Sequence, residues 1–458
     1  MMRTLALAVG LAAVAMGSPL RAQDFVITNA TVAKGDGSEP ITGASVIVRG
    51  GRVVMVGQDV TPDSALPVID GTGRWVTPGL FATMTSLGLW DVGAVDESND
   101  TRAGGSPFSA ALDVAPAVNP ASQHIAIHRA AGITRAATVL SSTGSIFGGQ
   151  GAIIDLGADD EAVIRARAFQ TVNLGEEGAR VAGGSRASAH ALFRNALREA
   201  TNLGEDARIP ADANRARDIR TGDDLPLDPR LAGENSDRTS DVLLTRFDAA
   251  ALVPVVRGDQ KLFVSVERAS DILSTLALKQ DFPRLDLVLV GASEGWLVGA
   301  EIAAAGVPVI ADGLDDLPSG FDQLASTQSN IGRMVKAGVT VAINAAAMEN
   351  PRNLNQYAGN LVALTQVPGA DGLTWGQAFA AITSIPAEIS GAEVNVGKLM
   401  PGTAGDVVLW DGDPLEVGSV PLRVFIDGVE QPLENHQTRL RDRYLDLDES
   451  DLPKAYDW

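Results

Sequence analysis

Short apolar runs rich in β-branched residues, each closed by glycine, proline or acidic turn residues, recur along nearly the whole chain and predict strands. Near the start, Phe25-Val-Ile-Thr28, Ala44-Ser-Val-Ile-Val-Arg49 and Arg52-Val-Val-Met-Val56 follow this pattern, and Gly50-Gly51 predicts a tight hairpin between the last two. The same short-strand pattern returns near the other end at Gly405-Asp-Val-Val-Leu-Trp410 and Arg423-Val-Phe-Ile-Asp427. Two half-sheets flanking a long middle imply one discontinuous domain.

In that middle, apolar runs at Ala136–Leu140, Ala152–Asp155, Leu262–Ser265, Leu287–Val290, Val307–Ile310 and Thr340–Ile343 alternate with helical stretches. The helices are predicted from Ser188 to Asn202, Glu267 to Gln280, Glu294 to Ala305 and Thr374 to Ile382. In the second of these, Ile272, Leu273 and Leu276 form a stripe for the core, with Lys279 and Gln280 toward solvent. Alternation of this kind predicts a parallel β/α barrel. The stretch from about Asn202 to Ser240 holds no sustained period and reads as a long surface excursion. The end, from Leu440 through Trp458, reads as a helix or tail docking through Tyr444, Tyr456 and Trp458.

The first residues change the picture of where the chain works. Arg3, the apolar run from Leu5 to Met16 and the small residues before Ala22-Gln23 read as a secretory signal peptide cleaved near Ala22, which predicts a periplasmic or secreted protein. No later run reaches the ~18 apolar residues a membrane helix needs, so membrane insertion is not expected. The chain contains no cysteine, which excludes disulfides, thiolate metal sites and a cysteine nucleophile. Its 458 residues, 45% of them hydrophobic, suffice for a large core and a smaller second unit. The formal charge of −21 grows more negative once Arg3 and Arg21 leave with the signal, and such acidity argues against nucleic-acid binding.

Val76-Thr-Pro-Gly-Leu80, Phe147-Gly-Gly-Gln-Gly151, Val290-Gly-Ala-Ser-Glu-Gly-Trp296, Ala381-Ile-Thr-Ser-Ile-Pro-Ala387 and Val396-Gly-Lys-Leu-Met-Pro-Gly402, running into Asp406-Val-Val-Leu-Trp-Asp-Gly-Asp-Pro414, resemble the amidohydrolase superfamily in order and spacing. Within it they resemble the periplasmic imidazolonepropionase-like branch. The resemblance implies a distorted (β/α)8 TIM barrel over 76–394, a composite β-sandwich from 23–75 and 395–432, and a tail at 433–458, after a signal peptide at 1–22. It also implies a hydrolase of carbon–nitrogen bonds, acting on cyclic amides or dipeptide-like substrates, and a homodimer. In that superfamily a metal at the C-terminal strand ends activates water while an aspartate shuttles the proton.

The positions that resemble the family's metal ligands carry other residues. Met84 and Ser86 stand where the His-x-His pair of the first strand belongs, Ser265 replaces a further histidine, Gly291-Ala292 supplies no imidazole, and Ala346 stands at the proton-shuttling aspartate. No lysine stands at the end of a middle strand to be carboxylated. Zinc therefore enters through the family only, and the residues themselves lead to no expected cofactor. Two readings follow. One is a hydrolase by descent that is catalytically degenerate; the other is a non-catalytic protein that binds a small amide or peptide-like ligand or partners an active relative.

Other chemistry is sparse. His124 and His128 lie one helical turn apart and read as a helix surface pair, while His190 and His436 read as structural or solvated. Asp91, Asp96 and Glu97 follow the first barrel strand and read as a solvated acidic loop. Glu267, beyond Ser265, is either a mouth carboxylate or a helix cap. No Gly-x-Ser-x-Gly elbow is present, and Phe147–Gly151 lacks the Gly-Lys-Ser/Thr ending of a phosphate loop.

Overall fold

The computed structural model describes residues 22–60, 65–206, 243–345, 350–392 and 396–445. Residues 1–21, which carry most of the expected signal peptide, nearly all of the excursion, Tyr456, Trp458 and Ala346 lie outside the described residues.

The chain opens with β1 (Phe25–Val32), β2 (Ile41–Arg49), β3 (Arg52–Gly57), β4 (Val68–Asp70) and β5 (Trp75–Pro78). The hairpin between β2 and β3 forms at Gly50 and Gly51, whose φ values of 55° and 77° suit glycine. The barrel strands are β6 (Leu80–Thr85), β8 (Ile133–Thr138), β10 (Phe147–Asp155), β11 (Val163–Asn173), β12 (Lys261–Val266), β13 (Leu287–Gly291), β14 (Val309–Ala311) and β15 (Val341–Ile343). A two-residue ribbon, β7 (Arg102–Ala103) with β9 (Ser142–Thr143), stands apart from them. The last strands are β16 (Val407–Trp410), β17 (Pro421–Ile426) and β18 (Val429–Glu430).

Strands from both ends of the sequence make one sheet, ordered β18-β17-β16-β5-β1-β2-β3, with β4 paired to β1. Its seam is antiparallel pairing of β16 with β5, where Val408 faces Thr77 and Leu409 faces Val76. Trp410 is buried there, and its indole N–H donates to Thr77 Oγ1 at 2.9 Å, so the large ring enters the core with its one polar atom satisfied.

The second sheet, ordered β15-β14-β13-β12-β11-β10-β8-β6, curls into a nearly closed barrel. β6 and β15 are not paired directly. Instead Phe81 N donates to Ile382 O and Ile343 N to Ala381 O, both at 2.9 Å, so the segment after helix Trp375–Ala380 stitches the gap. Apolar side chains fill the interior, where Phe169 and Phe263 stack at 4.2 Å with Phe81, Ile153, Val288 and Ile310 around them. Full burial of each such ring stabilises the barrel by about 2–3 kcal/mol.

The parallel order expected from the sequence fails at β10, which runs antiparallel to both β8 and β11. The cause is the link to β11, which is too short for a crossover helix and is closed by Asp155 N donating to Ala162 O at 2.9 Å. Phe147–Gly151 is a bulged half of this strand. The helix expected over 267–280 breaks at Ala277 into Ala269–Leu276 and Leu278–Asp281. Helix His436–Leu445 closes the described chain, but Tyr444 is 60% exposed and does not dock. Among the described residues no helix is long and apolar enough to cross a membrane.

One buried cation ties the two sheets together. Arg135 on β8 donates from Nε to Asp406 Oδ2 at 2.7 Å and from Nη2 to Asp406 Oδ1 at 3.0 Å, and Nη2 also reaches Asp427 Oδ2 at 2.7 Å. Asp427 N donates to Asp406 Oδ1 at 2.9 Å, so the acceptor is itself held. Burial works against the guanidinium charge, but Asp406, Asp427 and Asp155 outweigh it and keep Arg135 protonated. Asp155, opposed by the same arginine, is still pushed up to about 6 by its own burial. Replacing Arg135→Met leaves Asp406 buried without its partner and is expected to lower stability by about 3–5 kcal/mol, read as a lower urea midpoint in tryptophan fluorescence.

Candidate barrel-mouth site

Side chains alternate along a strand, so each parallel barrel strand that buries an apolar residue inside sends its neighbour two places on toward the mouth. From Phe263 this rule leads to Ser265 and Glu267, from Ile310 to Asp312, and from Ala342 to Asn344. The strand ends therefore gather hydroxyl, carboxamide and carboxyl groups above an apolar filling.

Glu267 is fixed from the neighbouring strand. Its Oε2 accepts from Ser293 N at 2.9 Å and from Ser293 Oγ at 2.7 Å. It lies over Gly291, where a Cβ would stand 2.1 Å from Oε1, and Gly291 also has φ +88°; only glycine fits. Burial pushes the Glu267 carboxyl up to about 7; the Ser293 bonds oppose the shift, and the charges of Asp312 and Asp322 add to it. Asp312 is pushed up to about 6 by burial and by Asp315, against the hydrogen bond from Asn344 Nδ2 at 2.7 Å.

Glu267 does not cap the following helix. That role falls to Glu294, whose Oε2 accepts from Ala269 N at 3.0 Å and whose Oε1 accepts from Ala325 N at 3.1 Å. Asp322 is spent on structure as well, accepting from Glu176 N and Arg186 Nη2. Sequence reasoning missed Asp312, although an aspartate directly after the apolar run Val309–Ala311 marks a strand's C-terminal end.

Of the four positions that resemble ligand sites, the structure brings Met84 and Ser265 to the wall of one cavity of about 140 Å³, together with Asn173 and Glu177. Met84 has φ 52° and sits where the β6–β8 register slips between Ala82 and Thr85, a bulge that re-aims the strand end. Its thioether packs against the barrel's apolar filling. Ser86 lies past the end of β6, half-buried, with its carbonyl accepting from Leu89 N. Ala292, φ 51°, is a buried methyl whose carbonyl accepts from Asn330 Nδ2 at 3.0 Å. Ala346 lies outside the described residues.

Zinc needs three or more nitrogen or oxygen donors converging on one point. A thioether, hydroxyls and a methyl do not fit it, and among the described residues no three His, Asp or Glu side chains converge.

The remaining candidates are dispersed. Asp96 and Glu97 are exposed in a short turn, whereas Asp91 is tied to helix Gln123–Arg129 by accepting from Gln123 N at 3.2 Å. The surface reading of the histidine pair is wrong for His128, which is 3% exposed. Its Nδ1 bonds His124 O at 2.7 Å, its Nε2 has no partner among the described residues, and burial above all presses its pKa down to about 4. His124 instead stacks on Trp90 at 3.7 Å. His190 lies inside helix Arg186–Asp206 and His436 opens the last helix.

Because folding raises the Glu267 pKa from 4.5 to about 7, its stabilising contribution is complete below about pH 4.5 and is lost as pH rises through 7. Glu267→Gln keeps an acceptor for Ser293 without the charge. Thermal melts should show the variant gaining over the parent between pH 5 and pH 8, by about 1–2 kcal/mol after allowing for partial solvent access.

No protein-family model matches the sequence. An amidohydrolase from Thermotoga maritima MSB8 superposes with a TM-score of 0.72 at 24% identity, covering 89% of this chain and 99% of that one. Amidohydrolase tasK of Hapsidospora irregularis is 43% identical over 60 residues, which is 13% of this chain and 6% of that protein. The chain thus spans only a small part of its curated relative, and the whole-length likeness is one of fold. The strand barrel, joined to a sheet drawn from both ends of the sequence, is thus a fold that this chain shares with the Thermotoga amidohydrolase.

Proposed function

We propose that this protein is an exported member of the amidohydrolase lineage whose barrel has lost metal-assisted carbon–nitrogen hydrolysis and serves to bind a small amide or peptide-like ligand. The observation that carries this reading is the cavity shared by Met84 and Ser265, the two inherited positions that meet there, because neither offers the donor that zinc and its hydroxide require. The signal-like start from Arg3 to Ala22 supports export. Partnership with an active relative fits the same residues and would be seen as co-purification.

A second reading rests on the mouth carboxylates. Glu267 and Asp312, both raised toward neutrality, suit acid–base work without a metal, one protonating a leaving nitrogen while the other takes a proton from water.

Elemental analysis of protein purified without chelator, alongside a screen of imides, hydantoins and aminoacyl compounds, decides between these readings. The degenerate reading expects neither stoichiometric zinc nor turnover, and finding both would overturn it. Turnover that survives chelator and falls at least a hundredfold in Glu267→Gln would establish the carboxylate reading instead.

A further inference from the structure

At the opposite end of the barrel, between the N-terminal ends of its strands and the sheet made from the two chain ends, lies a cavity of about 430 Å³ that the mouth chemistry does not use. Its volume falls within the ~300–1,000 Å³ of small-molecule sites, which are mostly apolar with a few polar groups setting orientation. Phe81 and Ile153, from the barrel's apolar filling, line its depth, and Ile164 and Ala404 extend the apolar wall.

Charge enters through three arginines from separate elements: Arg135 on β8, Arg52 at the start of β3 and Arg165 on β11. Arg135 is neutralised by Asp406 and Asp427. Among the described residues the other two have no carboxylate partner. Arg52 donates from Nη1 to Gly402 O at 3.0 Å and Arg165 from Nη1 to Gly391 O at 2.7 Å. These bonds to neutral carbonyls pin each guanidinium at the cavity without cancelling its charge, and among the described residues no carboxylate forms an ion pair with either. In a chain of net charge −21, two anchored cations that no described carboxylate pairs at one apolar cavity form a local reversal of field. Guanidinium groups keep further N–H donors in the fork geometry that matches a carboxylate.

We infer that this cavity binds a small organic carboxylate with an apolar body, its tail against Phe81 and Ile153 and its head group between Arg52 and Arg165. The site is independent of the barrel mouth, so it stands whether the mouth hydrolyses, binds or does neither.

The test is isothermal titration calorimetry on the full chain with decanoate, decanol and decylammonium, each below its micelle concentration. Decanoate is expected to bind one per chain and at least tenfold more tightly than decanol, with decylammonium weaker still. Arg52→Gln and Arg165→Gln, both at exposed positions, should each weaken decanoate about tenfold, leave decanol unchanged and leave the melting temperature unchanged. Ile164→Trp, which crowds the cavity from an exposed position, should weaken decanoate and decanol alike. Equal affinity for decanol and decanoate, decanoate binding that both arginine variants leave intact, or no binding of decanoate at all would overturn the proposal.

Discussion

The bidentate grip of Arg135 on Asp406 is the constraint on which this architecture turns. The two residues are 271 positions apart in sequence, and their contact sets the barrel against the sheet drawn from both chain ends. A buried guanidinium costs several kcal/mol of lost hydration, which is offset only when carboxylates meet it in good geometry. Asp406 and Asp427 do so, and the backbone N–H of Asp427 braces Asp406 in turn. Because the ion cluster occupies the N-terminal end of the barrel, the C-terminal strand ends are left for polar side chains that owe nothing to the union of the two sheets.

That division leaves the fold independent of the chemistry at the mouth. The barrel is held by its apolar filling, by the stack of Phe169 on Phe263 and by the stitch through Ala381 and Ile382, and none of these involves an imidazole or a metal. Ser265, Asn344, Glu267 and Asp312 sit above that filling. Glu267 and Asp312 are expensive to keep charged, and each is answered by one neighbour, Ser293 or Asn344, rather than by a cation. A mouth built this way stores acidity near neutral pH.

Much of the scaffold was legible because its signals are local. The Gly50-Gly51 hairpin, the runs at Leu262–Ser265 and Leu287–Val290 and the pairing of early and late strands all follow from composition, turn residues and short apolar periods. The reversed β10 was not legible, since strand direction depends on the length and closure of the link to β11. The bulge at Met84 was hidden for a related reason: register is set by the partner strand, and a positive φ at methionine has no compositional mark. His128 looked like a surface residue by helical spacing, but its face of the helix turns inward. At the mouth, the residue types at Met84, Ser86 and Ser265 could be read directly, whereas the coupling of Glu267 to Asp312 could not, because it joins two different strands.

The seam between β5 and β16 has a kinetic side. Thr77 and Trp410, 333 positions apart, cannot meet until most of the chain has been synthesised. Until then β5 presents an unpaired edge and Arg135 an unanswered charge, so the nascent protein depends on being kept from premature self-pairing. A sheet that locks only when its last strands arrive makes maturation all-or-none, and a truncated product is left with an open edge that proteases and chaperones can recognise.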